Sequence, residues 1–283
     1  MHTVTVPVRS WDDFRVALMA TLYRGAPFKA DRYLFRGQLR YDWPLRASFD
    51  RVFPEIPVGQ RRSRFDEMLS QFRAACEAEG VSPNVLFTDD LLALGQHYGL
   101  PTRLLDWSRS PYVACFFAFA DVALSGGLTN VLTQTQEIGK LAPDLDGPTL
   151  LEAITTLPGT VPVAIWALER TNPVWSDDYG VQIKNVASVI ANVRCRNQGG
   201  AFTLLTGSHA DLQSWADSLP ISAADDTPLL WRFVLPACET LPALADLRAM
   251  GIDFTRLYPD LQGCALDSKL EAVCRASGGA PLH

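Results

Sequence analysis

The sequence predicts an α+β fold of short mixed or antiparallel strands with flanking helices. Three observations point that way. Short apolar or alternating runs suited to strands fall in every third of the 283-residue chain, with helical patterns between and after them. These runs lack the regular strand–helix alternation of a doubly wound sheet. No GxGxxG or GxxxxGK[ST] occurs, which excludes the Rossmann and P-loop phosphate cradles, and GxSxG and HExxH are absent too.

Taken in order, Ser10 caps an expected helix Trp11–Tyr23, with Asp12 and Asp13 in its first turn and Trp11, Phe14, Leu18 and Leu22 at helical spacing. Gly25 and Pro27 end it. Tyr33–Arg36 reads as a short strand stopping at Gly37, Gln38–Trp43 as a loop, and Pro44–Phe53 as a helical turn closed by Pro54. Phe65, Met68, Leu69, Phe72 and Cys76 follow the spacing of an amphipathic helix, and Asp89–His97 forms a shorter one. A turn at His97–Pro101 leads to a strand, Thr102–Trp107. Ser108 or Ser110 then caps a helix with Pro111 at its first position. That helix is apolar nearly all round (Val113 to Phe119), as a buried helix is. Residues 125–158, with Gly126-Gly127, many Thr and Gln and an acidic tract at Asp144–Asp146, read as a variable insertion with no packed element. Further on, the pattern gives a buried strand Val161–Leu168, a β-branched stretch Val186–Val193 of unassigned structure and a polar turn Arg194–Gly200. It closes with a strand Ala201–Leu205, a helix His209–Leu219, a strand Leu229–Leu235, helices Leu241–Met250 and Leu261–Arg275, and a frayed tail. The expectation is a single domain over residues 1–283 with its core at 11–270.

Composition narrows the function. The net charge of −6, from 25 basic and 31 acidic residues, argues against a general nucleic-acid coat. Eight arginines nevertheless fall between Arg36 and Arg73. Arginine suits bidentate binding of phosphate or carboxylate, and solvated helix faces are the plain alternative. No apolar run approaches the ~18 residues of a membrane span, and the opening residues lack the apolar stretch of a signal peptide. The six cysteines form no CxxC pair and read as reduced thiols of a cytoplasmic protein. The four histidines lie far apart with no cysteine at ligand spacing, so no metal is expected.

The densest cluster of polar groups is Arg103, Asp106, Ser108 and Arg109, at the junction of a strand and a buried helix. A carboxylate placed there is costly unless it is paired, which suits a structural clamp or a binding site equally well.

Several blocks resemble the FRG domain family. Phe35-Arg36-Gly37-Gln38 with Trp43-Pro-Leu45 and Ser48 is similar to its opening, and Gln96–Ser108 with Ser110-Pro111 and Ala114 to its central signature. Arg194 with Asn197–Phe202, and the runs Leu247–Ile252 and Leu257–Gly263, resemble its later blocks. The likeness spans about Trp11 to Leu270. A second likeness is to arginine-class ADP-ribosyltransferases. Their aromatic-Arg-Gly strand resembles Phe35–Gly37, and their second strand, ending in Ser or Thr before an aromatic helix, resembles Thr102–Ser108 with Ala114–Phe117. Their third block carries a Glu where this chain has Gln198.

The second likeness implies an ADP-ribosyltransferase-like core and NAD as substrate, with Arg36, Asp106 and Gln198 in catalytic roles. It implies contacts to NAD from Arg36, Gly37, His97, Tyr98, Arg103, Trp107, Ser108 and Phe202. Arg36 presents a fork of donors to phosphate or ribose oxygens. Asp106 stabilises the oxocarbenium-like charge that develops when the nicotinamide–ribose bond breaks, and Gln198 holds the ribose. Tyr98 or Trp107 stacks on nicotinamide. The implied role is an intracellular toxin or phage-defence effector modifying a nucleic acid or protein acceptor, with an antitoxin or chaperone as partner. The alternative is a non-catalytic module that binds a nucleotide or a partner protein, with Arg36 and Asp106 structural.

Overall fold

The strict alternation of Thr3-Val4-Thr5-Val6 opens the chain as a strand, β1 (Thr3–Pro7). The computed structural model describes residues 2–24, 32–81, 89–126, 128, 131–159, 161–184, 193–220 and 228–278. After β1 come α1 (Trp11–Leu18), β2 (Tyr33–Gln38), α2 (Ser48–Val52), α3 (Arg61–Ala78), α4 (Asp89–His97), β3 (Leu104–Ser108) and α5 (Pro111–Leu124). They are followed by α6 (Val131–Gly139), α7 (Gly147–Thr155), β4 (Val163–Glu169), β5 (Val181–Lys184), α8 (Val193–Asn197) and β6 (Gly200–Leu205). The chain ends with α9 (Leu212–Ser218), β7 (Leu230–Leu235), α10 (Thr240–Ala249), α11 (Phe254–Leu257) and α12 (Leu261–Ala276). The helix break expected at residues 25–27, the stretch 186–192 and the tail beyond residue 278 lie outside the described residues.

The chain divides into two compact units, each assembled from separated stretches. A terminal unit holds Thr3–Trp43, Ser108–Glu169 and Leu230–His283, and a central unit holds Met1–His2, Pro44–Trp107 and Arg170–Leu229. The fold is thus a mixed one of strands and flanking helices.

In the terminal unit the strands are ordered β1-β7-β4-β2. β1 runs parallel to β7, while β4 is antiparallel to both β7 and β2. Ile165 lies across from Phe233, with Phe35 on the same face, and all three enter the main core with Trp11 and Phe14 of α1, Phe116 and Phe119 of α5, and Leu244 and Leu247 of α10. Full burial of a side chain such as Phe119 or Phe233 contributes about 1.5–3 kcal/mol. Ser110, rather than Ser108, caps α5, its hydroxyl accepting the Val113 N–H at 3.4 Å with Pro111 in the first turn. Strand β2 runs on through Gly37 to Gln38 instead of stopping at the glycine. The reason is packing: a Cβ at Gly37 would overlap the Ala114 carbonyl oxygen and stand 3.0 Å from Ala118 Cβ, so only glycine lets β2 lie this close to α5.

The expected structureless insertion at residues 125–158 is corrected by α6 and α7. Asp146 caps α7, accepting the Thr149 N–H at 2.8 Å, with Pro148 in the first turn. Leu150, Leu151 and Ile154 stand at helical spacing, and Ile154 is fully buried, as Ile138 of α6 nearly is. A mean composition of Thr, Gln and Gly concealed two short amphipathic patterns.

In the central unit the strands are ordered β3-β6-β5, with β5 antiparallel to β6. Phe49, Phe65, Leu92, Leu104 and Phe202 form its core, with Phe53 and Met68 packed against them. Where a polar turn is expected at Arg194–Gly200, the chain makes the short helix α8 before β6.

Candidate functional site

Strand β3 shows how the sequence presents its chemistry. Leu104, Leu105, Trp107 and Ser108 are buried, while Asp106 between them is exposed. Its carboxylate accepts a short hydrogen bond from the Gln96 side-chain amide near the end of α4. That amide is itself oriented, because Gln96 Oε1 accepts the Thr102 hydroxyl at 2.7 Å, which turns the Nε2 end toward Asp106. Thr102 is fixed in turn by Ser48, whose hydroxyl accepts the Thr102 N–H at 2.9 Å and donates to the Thr102 carbonyl at 3.1 Å. A four-residue relay, Ser48–Thr102–Gln96–Asp106, thus holds one solvent-facing carboxylate in place. Such support from a second layer of hydrogen bonds is what a positioned reacting group needs.

Arg103, expected among the cofactor contacts, is corrected to a structural hub. Its side chain is 0 % exposed and faces an equally buried Asp50, with Nε 3.3 Å from Oδ2. Its terminal nitrogens donate to the Gly207 and His209 carbonyls, both at 2.9 Å. Arg61 pairs with the other Asp50 oxygen at 3.3 Å. Burial pushes the Arg103 pKa down and the Asp50 carboxylate opposes the shift. Asp50 thereby ties α2 to the start of α3 and, through Arg103, to the chain beyond β6. Other arginines of the run from Arg36 to Arg73 make exposed ion pairs: Arg40 with Asp42, Arg62 with Asp66 and Arg64 with Glu67.

The remaining expected residues divide by environment. Trp107 is buried, its Nε1 donating to Thr203 Oγ1 at 3.0 Å, and Phe202 belongs to the core of the central unit, so neither ring is presented to a ligand. Tyr98 is 75 % exposed and stands edge-on to the exposed ring of His97, ring centroids 5.1 Å apart. The turn behind them is closed by Gly99 at φ +87°, a left-handed position where glycine ends α4. Gln198 is half-buried at the end of α8, its N–H donating to the Arg194 carbonyl at 3.0 Å. Asp106 and Gln198 belong to the central unit; Arg36, Gly37 and Ser108 belong to the terminal unit. Ser108 is buried opposite Phe35, where its hydroxyl accepts the Ser110 N–H at 3.0 Å. Gly37 serves the approach of α5 to β2.

Arg36 has a setting the sequence did not reveal. On the terminal sheet it lies directly across from Trp166, which lies across from Arg232, which lies across from Thr5. Residues opposite one another on neighbouring strands share a face, so these four form one row on the face away from Phe35, Ile165 and Phe233. Trp166 is fully buried and donates from Nε1 to Gln38 Oε1 at 2.7 Å. The signal in the sequence was a lone arginine inside the apolar run Leu230-Trp-Arg232-Phe-Val-Leu235.

Residues 31–125, the third of the chain that includes β2, the Ser48–Asp106 relay and α5, match the family model of the FRG domain. No curated protein and no solved structure matches the chain. Among the described residues no group of three or more His, Cys, Asp or Glu side chains is placed to hold a metal ion, and no helix is long and apolar enough to cross a membrane.

Proposed function

We propose that the chain is an NAD-consuming ADP-ribosyltransferase, an intracellular toxin or phage-defence effector acting on a protein or nucleic-acid acceptor. The observation that carries this reading is the exposed Asp106 carboxylate oriented by Gln96, Thr102 and Ser48. In the reaction the bond from nicotinamide nitrogen to ribose C1′ breaks, its electron pair leaving with neutral nicotinamide. A nucleophile on the acceptor then bonds to C1′ and releases its proton. Positive charge builds on the ribose as the bond breaks, and a fixed carboxylate stabilises it more than water does. Asp106 is assigned that role, Gln198 the ribose hydroxyls and Tyr98 the stack on nicotinamide. Arg103, Trp107 and Phe202 are assigned to the fold.

The test is to incubate the protein with NAD labelled in its adenylate half and a cell lysate, and to measure free nicotinamide together with labelled polymer. Nicotinamide release with label sensitive to protease or to nuclease is the expected result, and the sensitivity names the acceptor. Neither nicotinamide nor labelled polymer would leave the non-catalytic binding module as the better reading.

A further inference from the structure

Arg232 is a residue of the terminal sheet whose chemistry the fold leaves incomplete. Its guanidinium lies over the Trp166 ring, 5.4 Å from the centroid, and 5.9 Å from that of Tyr41. One terminal nitrogen donates to the Tyr41 carbonyl at 3.2 Å and the other to Thr5 Oγ1 at 3.0 Å. These acceptors are neutral. Among the described residues no carboxylate pairs with Arg232, and its buried Nε has no hydrogen-bond partner. Burial pushes its pKa down, with only the Tyr41 hydroxyl opposing. Three other arginines are matched with acids: Arg103 and Arg61 with Asp50, and Arg248 with Asp267 at 2.5 Å.

A guanidinium held by stacking and two neutral acceptors keeps its charge and, on its terminal nitrogens, two N–H groups that those acceptors do not engage. It is still half-buried, so water does not fully solvate it. The species that completes such a site is an anion with several acceptor oxygens. On the same row, across Trp166, stands a second arginine, Arg36, whose charge also opposes the upward shift of the Asp121 pKa. Two strand spacings separate the two backbones, about 10 Å, a distance that two arginine side chains bridge around a pair of linked phosphates.

We propose that Arg232, stacked on Trp166, forms with Arg36 a diphosphate-binding site on the terminal sheet. The inference goes beyond the NAD reading and rests on the terminal unit alone. The site is defined by its own geometry, and its probe is inorganic pyrophosphate.

The experiment titrates the full chain with pyrophosphate and with ADP-ribose by calorimetry, for wild type, Arg232→Gln and Arg232→Lys. Wild type is expected to bind both. Arg232→Gln, which loses the charge and the fork, is expected to bind at least ~10-fold more weakly, and Arg232→Lys to fall between. A bridge that merely ties β1, β7 and Tyr41 together predicts instead a lower melting temperature for Arg232→Gln with unchanged pyrophosphate affinity, and that result overturns the site. If Arg232→Gln does not fold, wild type alone decides. An arginine-selective dicarbonyl is applied with and without pyrophosphate, and modification of each arginine is read by mass spectrometry. Protection of Arg232 supports the site, and equal modification overturns it. Nicotinamide release is recorded in parallel. Pyrophosphate binding without NAD turnover sinks the transferase reading and spares the site, whereas turnover without pyrophosphate binding does the reverse.

Discussion

The molecule treats its arginines in opposite ways at two places. In the central unit Asp50, fully buried, is flanked by Arg61 and Arg103, and every one of these charges faces an opposite one. In the terminal unit Arg232 is stacked on aromatic rings and bonded to neutral oxygens. Arginine count is therefore a poor guide to binding. A guanidinium saturated by a carboxylate is an internal tie, while one held in place without a carboxylate retains charge for something outside the chain. Arg103 sits in the most recognisable motif of the sequence and belongs to the first kind. Arg232 sits in an unremarked apolar strand and belongs to the second.

The largest effect is expected at Asp50. Asp50→Ala leaves two buried guanidiniums facing each other and should cost about 3–5 kcal/mol in denaturant unfolding. Joint replacement of Asp50, Arg61 and Arg103 by apolar residues of similar volume should recover much of that loss. A single Asp50→Ala variant as stable as wild type would break the comparison at its firmest point. Next comes Gly37→Ala. The added methyl meets a backbone carbonyl that cannot swing aside, so a loss of about 1–3 kcal/mol is expected, with β2 or α5 displaced.

The terminal unit also buries neutral acids, and this sets a pH limit. Burial, with help from Glu239, raises the Cys238 thiol from 9.0 to about 11, and burial raises the Tyr23 hydroxyl from 10.0 to about 12. Each keeps its proton in the folded chain where the unfolded chain releases it. Stability is unaffected by these groups below pH 9, and falls as pH rises from 9 toward 11 for Cys238 and from 10 toward 12 for Tyr23. Each contributes on the order of 2 kcal/mol at the top of its range. Melting curves across that range should flatten in Cys238→Ala and in Tyr23→Phe, and an unchanged alkaline slope in both would refute the assignment. Smallest is Arg232→Met, expected to cost about 1 kcal/mol, because removing a cation that no carboxylate faces orphans no charge. A loss as large as that of Asp50→Ala would show the two arginines to be structural alike.

Much of the fold was legible because long patterns are redundant. The nearly all-apolar α5 with Ser110 and Pro111 at its start, the helical spacing of Phe65 to Cys76, and the buried run of β4 each carry several agreeing signals. The elements that escaped are short. Four alternating residues at the start of the chain make β1, and Val181–Lys184 makes β5, each completed by a partner strand distant in sequence. The helices α6 and α7 were hidden by polar composition, although Asp146 and Pro148 mark the second. At the candidate site, Asp106 and its neighbours stood out as a cluster, but no local signal separates the exposed Asp106 from the buried Arg103 three residues before it. That difference depends on strand alternation and on Asp50, which lies in another element. The Arg36–Trp166–Arg232 row was out of reach for the same reason: register across three strands is a tertiary fact.

The most direct measurement compares nicotinamide release from NAD by wild type and by Asp106→Asn. The substitution is nearly isosteric and removes only the charge, so the melting temperature should stay within a degree or two while release falls by ~100-fold or more. Equal release by wild type and Asp106→Asn would contradict a catalytic role for the carboxylate on β3.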